Sequence, residues 1–201
     1  MVSIPRDNFA VISIGIIVGS TRPERKGEAV ARWVYEVSKK RGDAEFELVD
    51  IRDFNLPFFD EPLSPFAKAL LQREYTQVHT KEWAARIAPL DGYVFVTPEY
   101  NHSVPAALKN ALDFLYTEWN NKAAGFVSYG GAGGARAVEH LRLILAELQV
   151  ATVRSEVNLS VHSDFENYTA FRPAPRHEAH VHSMLDQVVA WSGALKPLRM
   201  A

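Results

Sequence analysis

The residues of this chain with the clearest capacity for chemistry stand together in one run, Gly19-Ser20-Thr21-Arg22-Pro23-Glu24-Arg25-Lys26-Gly27. The run directly follows a β-branched apolar stretch and directly precedes a helical pattern. Ser20 and Thr21 are hydroxyl donors, and Arg22 offers a fork of N–H donors that matches the oxygens of a phosphate. Backbone amides at the start of the next helix, including those near Gly27 and Glu28, point outward, and the helix dipole favours an anion there. Gly19 and Gly27 let the chain approach a ligand closely. Two familiar phosphate motifs do not fit. Gly19 and Gly27 are too far apart for a Walker loop, and Glu28 follows Gly27 where lysine would be needed. The dinucleotide fingerprint GxGxxG is absent from this turn. A polar loop that merely caps a helix would use the same residues, so spacing alone leaves both readings open.

Two further segments carry similar promise. In Thr97-Pro98-Glu99-Tyr100-Asn101-His102-Ser103-Val104-Pro105, Pro98 ends a strand because it cannot donate to the ladder, and Pro105 suits the first turn of a helix. The stiffly held residues between them present amides and an aromatic ring, a combination suited to a flat heteroaromatic ligand. The alternative is a helix-capping turn with Ser103 as the cap. In Ser128-Tyr129-Gly130-Gly131-Ala132-Gly133-Gly134-Ala135-Arg136, the run of small residues either gives flexibility or lets something flat come close. Arg136 breaks a GxGxxG match, and Gly125 lies one residue too far from Ser128 for a nucleophile elbow. The chain has seven histidines. His177, His180 and His182 do not form HExxH and read as solvated helix residues, while His102 lies inside the second segment and is given no catalytic role.

The elements that must position these loops follow from periodicity. Val11 to Val18 is a near-continuous apolar run, as in a strand covered on both faces. Glu45 to Ile51, Gly92 to Thr97, Gly125 to Tyr129 and Val150 to Leu159 read as four more strands. Helical spacing predicts helices over Ala29 to Lys40, Val104 to Trp119 and Ala135 to Leu148, with a last one from about His177 to Ser192. This rhythm predicts an α/β fold of βαβ units with a parallel sheet covered by helices on both faces. Phe54 to Phe66 reads as a proline- and aromatic-rich covering loop, and Ser160 to Arg176 as a similar one. Phe58, Phe59, Trp83, Tyr116 and Trp119 read as core or subunit interface. The 201 residues form one domain with a C-terminal extension from about residue 160.

Composition narrows the partners. Lys plus Arg number 22 and Asp plus Glu 24, a net charge of −2, so no broad basic field exists to hold a nucleic acid or an anionic membrane surface. The absence of cysteine removes disulfides, thiolate nucleophiles and thiolate metal sites. No apolar run reaches the roughly 18 residues of a bilayer span. Residues 1–10 carry Pro5, Arg6, Asp7 and Asn8 where a signal peptide needs an apolar core, so the expectation is cytoplasmic.

The GSTRPERKG loop after the first strand, PEYN after the third and Lys109-Asn110-Ala111-Leu112-Asp113 beyond it resemble the NAD(P)H-dependent FMN reductase family of flavodoxin-like proteins. The similarity covers roughly residues 11–158. It implies a doubly wound five-stranded parallel sheet in the order 2-1-3-4-5, FMN as cofactor and NADPH or NADH as co-substrate. A small-molecule electron acceptor follows: free flavin, quinone, azo compound or metal oxyanion. Homodimers or homotetramers are expected. Carried over by position, Ser20, Arg22 and the amides near Gly27 and Glu28 bind the FMN phosphate. Pro98, Glu99, Tyr100 and Asn101 line the isoalloxazine, and Ser128, Gly130 and Gly131 flank it. Many relatives place a serine late in the phosphate loop, where this chain has Arg25-Lys26-Gly27. A flavodoxin-type electron carrier and a flavin-free binding module are the competing readings. The low net charge argues against the carrier, which needs charge to steer its partner.

Overall fold

Alternation within the strands divides the core in two. In the third strand, Tyr93 and Phe95 face one side of the sheet while Val94 and Val96 face the other, and all four are fully buried. This two-sided burial is what a parallel sheet between helix layers requires. The structure, a computed structural model, describes residues 11–199. Its strands are β1 (Ser13–Val18), β2 (Glu45–Asp50), β3 (Gly92–Pro98), β4 (Lys122–Gly130) and β5 (Val150–Ser160). They pair in parallel in the order β2-β1-β3-β4-β5. The order reverses between β1 and β3, and a crevice opens there at the carboxyl ends of the strands.

Helices α1 (Gly27–Ser38), α2 (Pro65–Leu70), α3 (Val78–Ile87), α4 (Ala106–Asp113), α5 (Ala135–Glu147) and α6 (Arg176–Leu195) complete the framework. Trp83 and Ile87 of α3, Leu108 and Leu112 of α4, and Val138, Leu141 and Leu145 of α5 pack on the Tyr93–Phe95 face. Val30 and Val34 of α1 and Val181, Met184, Leu185 and Val188 of α6 pack on the other. The C-terminal segment therefore supplies half of one helix layer.

Several sequence expectations need correction. The helix expected over Val104 to Trp119 covers only Ala106–Asp113. The Trp83 and Trp119 indoles donate to the carbonyls of Ala111 and Leu112, at 2.8 and 3.2 Å, and so take up carbonyls at the end of α4. Ser103 does not cap this helix, since the cap position is Pro105. The region expected as a covering loop over Phe54 to Phe66 contains the start of α2, and α3 lies in a stretch assigned no element. Of the aromatics read as core or subunit interface, Trp83 and Trp119 are core, and Phe58, 88% exposed in the single chain, is left with the interface alternative. The 160–176 loop contains a small hairpin, β6 (Phe165–Glu166) with β7 (Ala170–Phe171). Phe171 meets Trp33 of α1 edge to face at 5.5 Å, and Phe165 is buried beside it, whereas Tyr168 stays exposed. His177 is buried, not solvated: its Nε2 lies 3.0 Å from Asp164 Oδ1. Burial raises the Asp164 carboxyl, but the N–H groups of Ser160 and Ala174 and the charge of His177 outweigh it and hold the group below its usual range.

Candidate functional site

The first loop is held from inside by Arg25. Its Nη1 donates to the Ser20 carbonyl at 2.6 Å, and Nη2 pairs with the Asp50 carboxylate at the end of β2. Arg25 is thus a buried strut, not a free donor. Arg22, by contrast, is exposed, and its guanidinium enters no ion pair among the described residues. Ser20 is buried, with Oγ 3.3 Å from the Tyr100 hydroxyl and accepting from the Arg22 N–H at 3.4 Å. No side chain caps α1, so the amides at its start remain donors. Glu28 leans away along the helix: Arg32 donates to it at 3.0 Å and holds its carboxyl below the usual range, against a smaller desolvation effect. Gly27 is required by packing, because a Cβ there would stand 2.8 Å from the Tyr129 hydroxyl. That hydroxyl is buried without a hydrogen-bond partner among the described residues, and burial pushes its pKa up.

The second loop leaves β3 as a tight turn. Tyr100 N–H donates to Ser103 O at 2.9 Å, and Ser103 N–H donates back to Tyr100 O at 3.1 Å. Asn101 and His102 between them have φ of 49° and 70°. Pro98 is buried at the strand end, and Glu99 N–H donates to the Tyr129 carbonyl at 3.0 Å. The Glu99 side chain turns away to Arg136, whose Nε donates to it at 2.6 Å. Burial raises this carboxyl, but the hydrogen bonds and charge of Arg136 outweigh it, so Glu99 is held below its usual range. With its N–H on Tyr129 and its carboxylate on Arg136, Glu99 keeps only its carbonyl for a ligand. The Tyr100 hydroxyl reaches across to Ser20 and joins the second loop to the first.

The third loop turns through Gly133 and Gly134, at φ 71° and 83°. The Ser128 hydroxyl donates to the Gly133 carbonyl at 2.8 Å and accepts from Asn158 Nδ2 at 3.1 Å. It fastens the loop and is not offered to the crevice. Gly130 lies against Glu99, where a Cβ would stand 3.3 Å from that residue's Cβ, and Gly131 is exposed. The structure thus gathers all the expected segments at one sheet edge but removes the side chains of Ser128 and Glu99 from ligand contact. It adds Arg25, Tyr129 and Arg136 as residues that shape the site. A cleft of 280 Å³ continues from Thr21 between Arg52, Asn55 and Asn110. A larger cleft of 710 Å³ lies at the opposite edge, where Lys122, Lys196 and Arg199 are tied to backbone carbonyls and Asp91, and it has no part in this site.

The family profile of NADPH-dependent FMN reductase matches residues 12–164, most of the chain. The chain belongs to that family. An NAD(P)H-dependent FMN reductase of Nectria sp is 42% identical over 147 residues, covering 70% of this chain and 72% of the relative. One from Schizosaccharomyces pombe is 44% identical over 135 residues, 67% of this chain and 66% of that one. A quinone reductase of Escherichia coli is 33% identical over 143 residues, 68% and 71% of the two chains. Among solved structures, the flavoenzyme NAD(P)H:(acceptor) oxidoreductase FerB of Paracoccus denitrificans aligns with a TM-score of 0.69 at 23% identity. It covers 90% of this chain and 97% of its own, and so shares the flavodoxin-like fold. As a member of the FMN reductase family, this chain is an FMN-dependent oxidoreductase with NAD(P)H as co-substrate. Its crevice suits the cofactor. The uncapped start of α1 and the exposed Arg22 guanidinium, in no ion pair among the described residues, fit a phosphate, and the turns after β3 and β4 stand at the same sheet edge.

Proposed function

We propose that the electrons drawn from NAD(P)H pass to a quinone, and that the phosphate of FMN is held by Arg22, Ser20 and the first amides of α1. The reading rests on one observation: among the described residues, the three loops at the switch point offer backbone groups and a guanidinium in no ion pair, that of Arg22, while the Glu99 carboxylate is tied to Arg136. Such a site binds and orients, leaving the redox step to the cofactor. FMN supplies the hydride acceptor and donor; the protein fixes where each partner stacks. Pro98 and the 99–103 turn define the ring's seat, and Gly130 and Gly131 keep the space beside it free of side chains. Quinone as the acceptor class is supported by relatives named quinone reductase. Steady-state NAD(P)H oxidation by the FMN-loaded protein with a benzoquinone, an azo dye and free FMN as competing acceptors tests it. The highest kcat/KM is expected for the quinone, and a clear preference for another acceptor would reject it.

The protein is further proposed to form a homodimer. Phe58, Leu63, Phe66, Leu70, Leu71 and Val78 all lie exposed on the segment from the end of β2 to α3, an apolar stripe suited to a second copy of the chain. Light scattering at micromolar concentration checks this, and a monomer there would contradict it.

A further inference from the structure

Asn101 and His102 both lie in the left-handed region, in which both residue types are enriched over other non-glycine residues. The turn that carries them is closed by the Tyr100–Ser103 backbone bonds and is also held from outside by α5. Arg136, in the first turn of that helix, grips both ends. Its N–H donates to Glu99 Oε2 at 3.2 Å and its Nε to Oε1 at 2.6 Å, while Nη2 pairs with the same carboxylate. Its Nη1 lies 2.8 Å from His102 Nε2. A guanidinium has only donors, so Nε2 must be the acceptor, and the imidazole is neutral with its proton on Nδ1. One turn further along α5, His140 Nδ1 lies 3.0 Å from Ser103 Oγ.

We infer that Arg136 is the positioning residue of the 99–103 turn, acting through Glu99 and through neutral His102, and that protonation of His102 releases the second grip. The charged groups facing His102 are Arg136 and, through it, Glu99, whose oxygens already accept the Arg136 donors. A protonated imidazole would set donor against donor and cation against cation, with no acceptor left between them. The consequence for cofactor affinity rests on the reading that this turn seats the flavin ring.

Amide hydrogen exchange of the ligand-free protein tests the grip itself, at about pH 8 and about pH 5.5, on either side of the range where imidazoles titrate. Relative to intrinsic rates, protection of the Tyr100 and Ser103 amides should fall roughly fivefold on acidification, as a charge-assisted hydrogen bond is lost at a half-exposed site. Arg136→Met should show the lower protection at both pH values. His102→Asn, which suits the left-handed backbone, should lose most of that pH dependence, whereas His140→Gln, which removes the other imidazole in reach of Ser103, should keep it. Acid sensitivity equal in the wild type and His102→Asn would overturn the inference, as would full protection in Arg136→Met. In parallel, Arg136→Met should weaken FMN and riboflavin by the same factor, because the ring loses its seat and the phosphate does not. A loss confined to FMN would overturn the ring-positioning role. If the wild type bound neither flavin, the cofactor seat would be wrong while the exchange data still decided the grip.

Discussion

Two arginines three residues apart in the first loop have opposite roles. Arg22 is exposed and enters no ion pair among the described residues, and Arg25 is buried against Ser20 and Asp50. Arg22→Ala should weaken FMN by about 1.5–3 kcal/mol, the scale of a hydrogen bond to a charged group. Riboflavin, which lacks the phosphate, should bind unchanged; titration of flavin fluorescence against both ligands checks this. Arg25→Gln should act on stability instead, costing roughly 2–3 kcal/mol in urea denaturation. That is below the range for a fully buried pair, because Asp50 keeps some solvent access. That the loop presents hydroxyl and guanidinium donors was legible from Ser20, Arg22 and the flanking glycines. Which arginine faced outward was not, because the decision is made by a carboxylate on another strand, distant in sequence.

The elements that build the site were legible where apolar periodicity was strong and hidden where capping came from tertiary contacts. β1, β3 and β4 announced themselves as buried runs. The early end of α4 depends on two indoles, one of which belongs to α3, a helix with a weak apolar face. The start of α1 has a similar dependence. Gly27 exists because the Tyr129 hydroxyl from β4 stands where a Cβ would go. Gly27→Ala should destabilise the protein by about 1–3 kcal/mol, the cost of overpacking a tight contact. Tyr129→Phe removes the hydroxyl and an orphaned polar atom with it. The double variant should therefore recover most of the loss, and a thermal-unfolding cycle over the four proteins reads that coupling.

At the scale of the whole molecule, the two edges of the sheet have separate work. The carboxyl edge carries the three loops of the proposed flavin site, and the amino edge carries a buried lysine that seals the fold. Lys122 donates to the carbonyls of Ile87 and Ala88, at 3.0 and 2.9 Å, and to the Tyr93 hydroxyl at 3.0 Å. Burial, with Arg199 adding to it and Asp91 and Glu118 opposing, brings its pKa down to about 7 from 10.5. Between those values the folded protein has released a proton that the unfolded chain still holds, so unfolding takes a proton up. Stability should therefore rise with pH above about 7 and be insensitive to this group below it. The buried tyrosines act in the opposite sense only once the unfolded chain's tyrosines ionise near pH 10. Urea midpoints at about pH 7 and about pH 9 should show the rise in the wild type and lack it in Lys122→Met. The sheet order was legible through the family resemblance and the strand rhythm together. The buried lysine was not, because nothing in its sequence neighbours marks it as enclosed.

The most direct test of the account is an anaerobic absorbance spectrum of the FMN-reconstituted protein before and after addition of NADPH, repeated with NADH. The account predicts a bound-flavin spectrum that bleaches with at least one of the two nucleotides and recovers when a quinone is added. A protein that retains no flavin, or one whose bound flavin stays oxidised with both nucleotides, would contradict it.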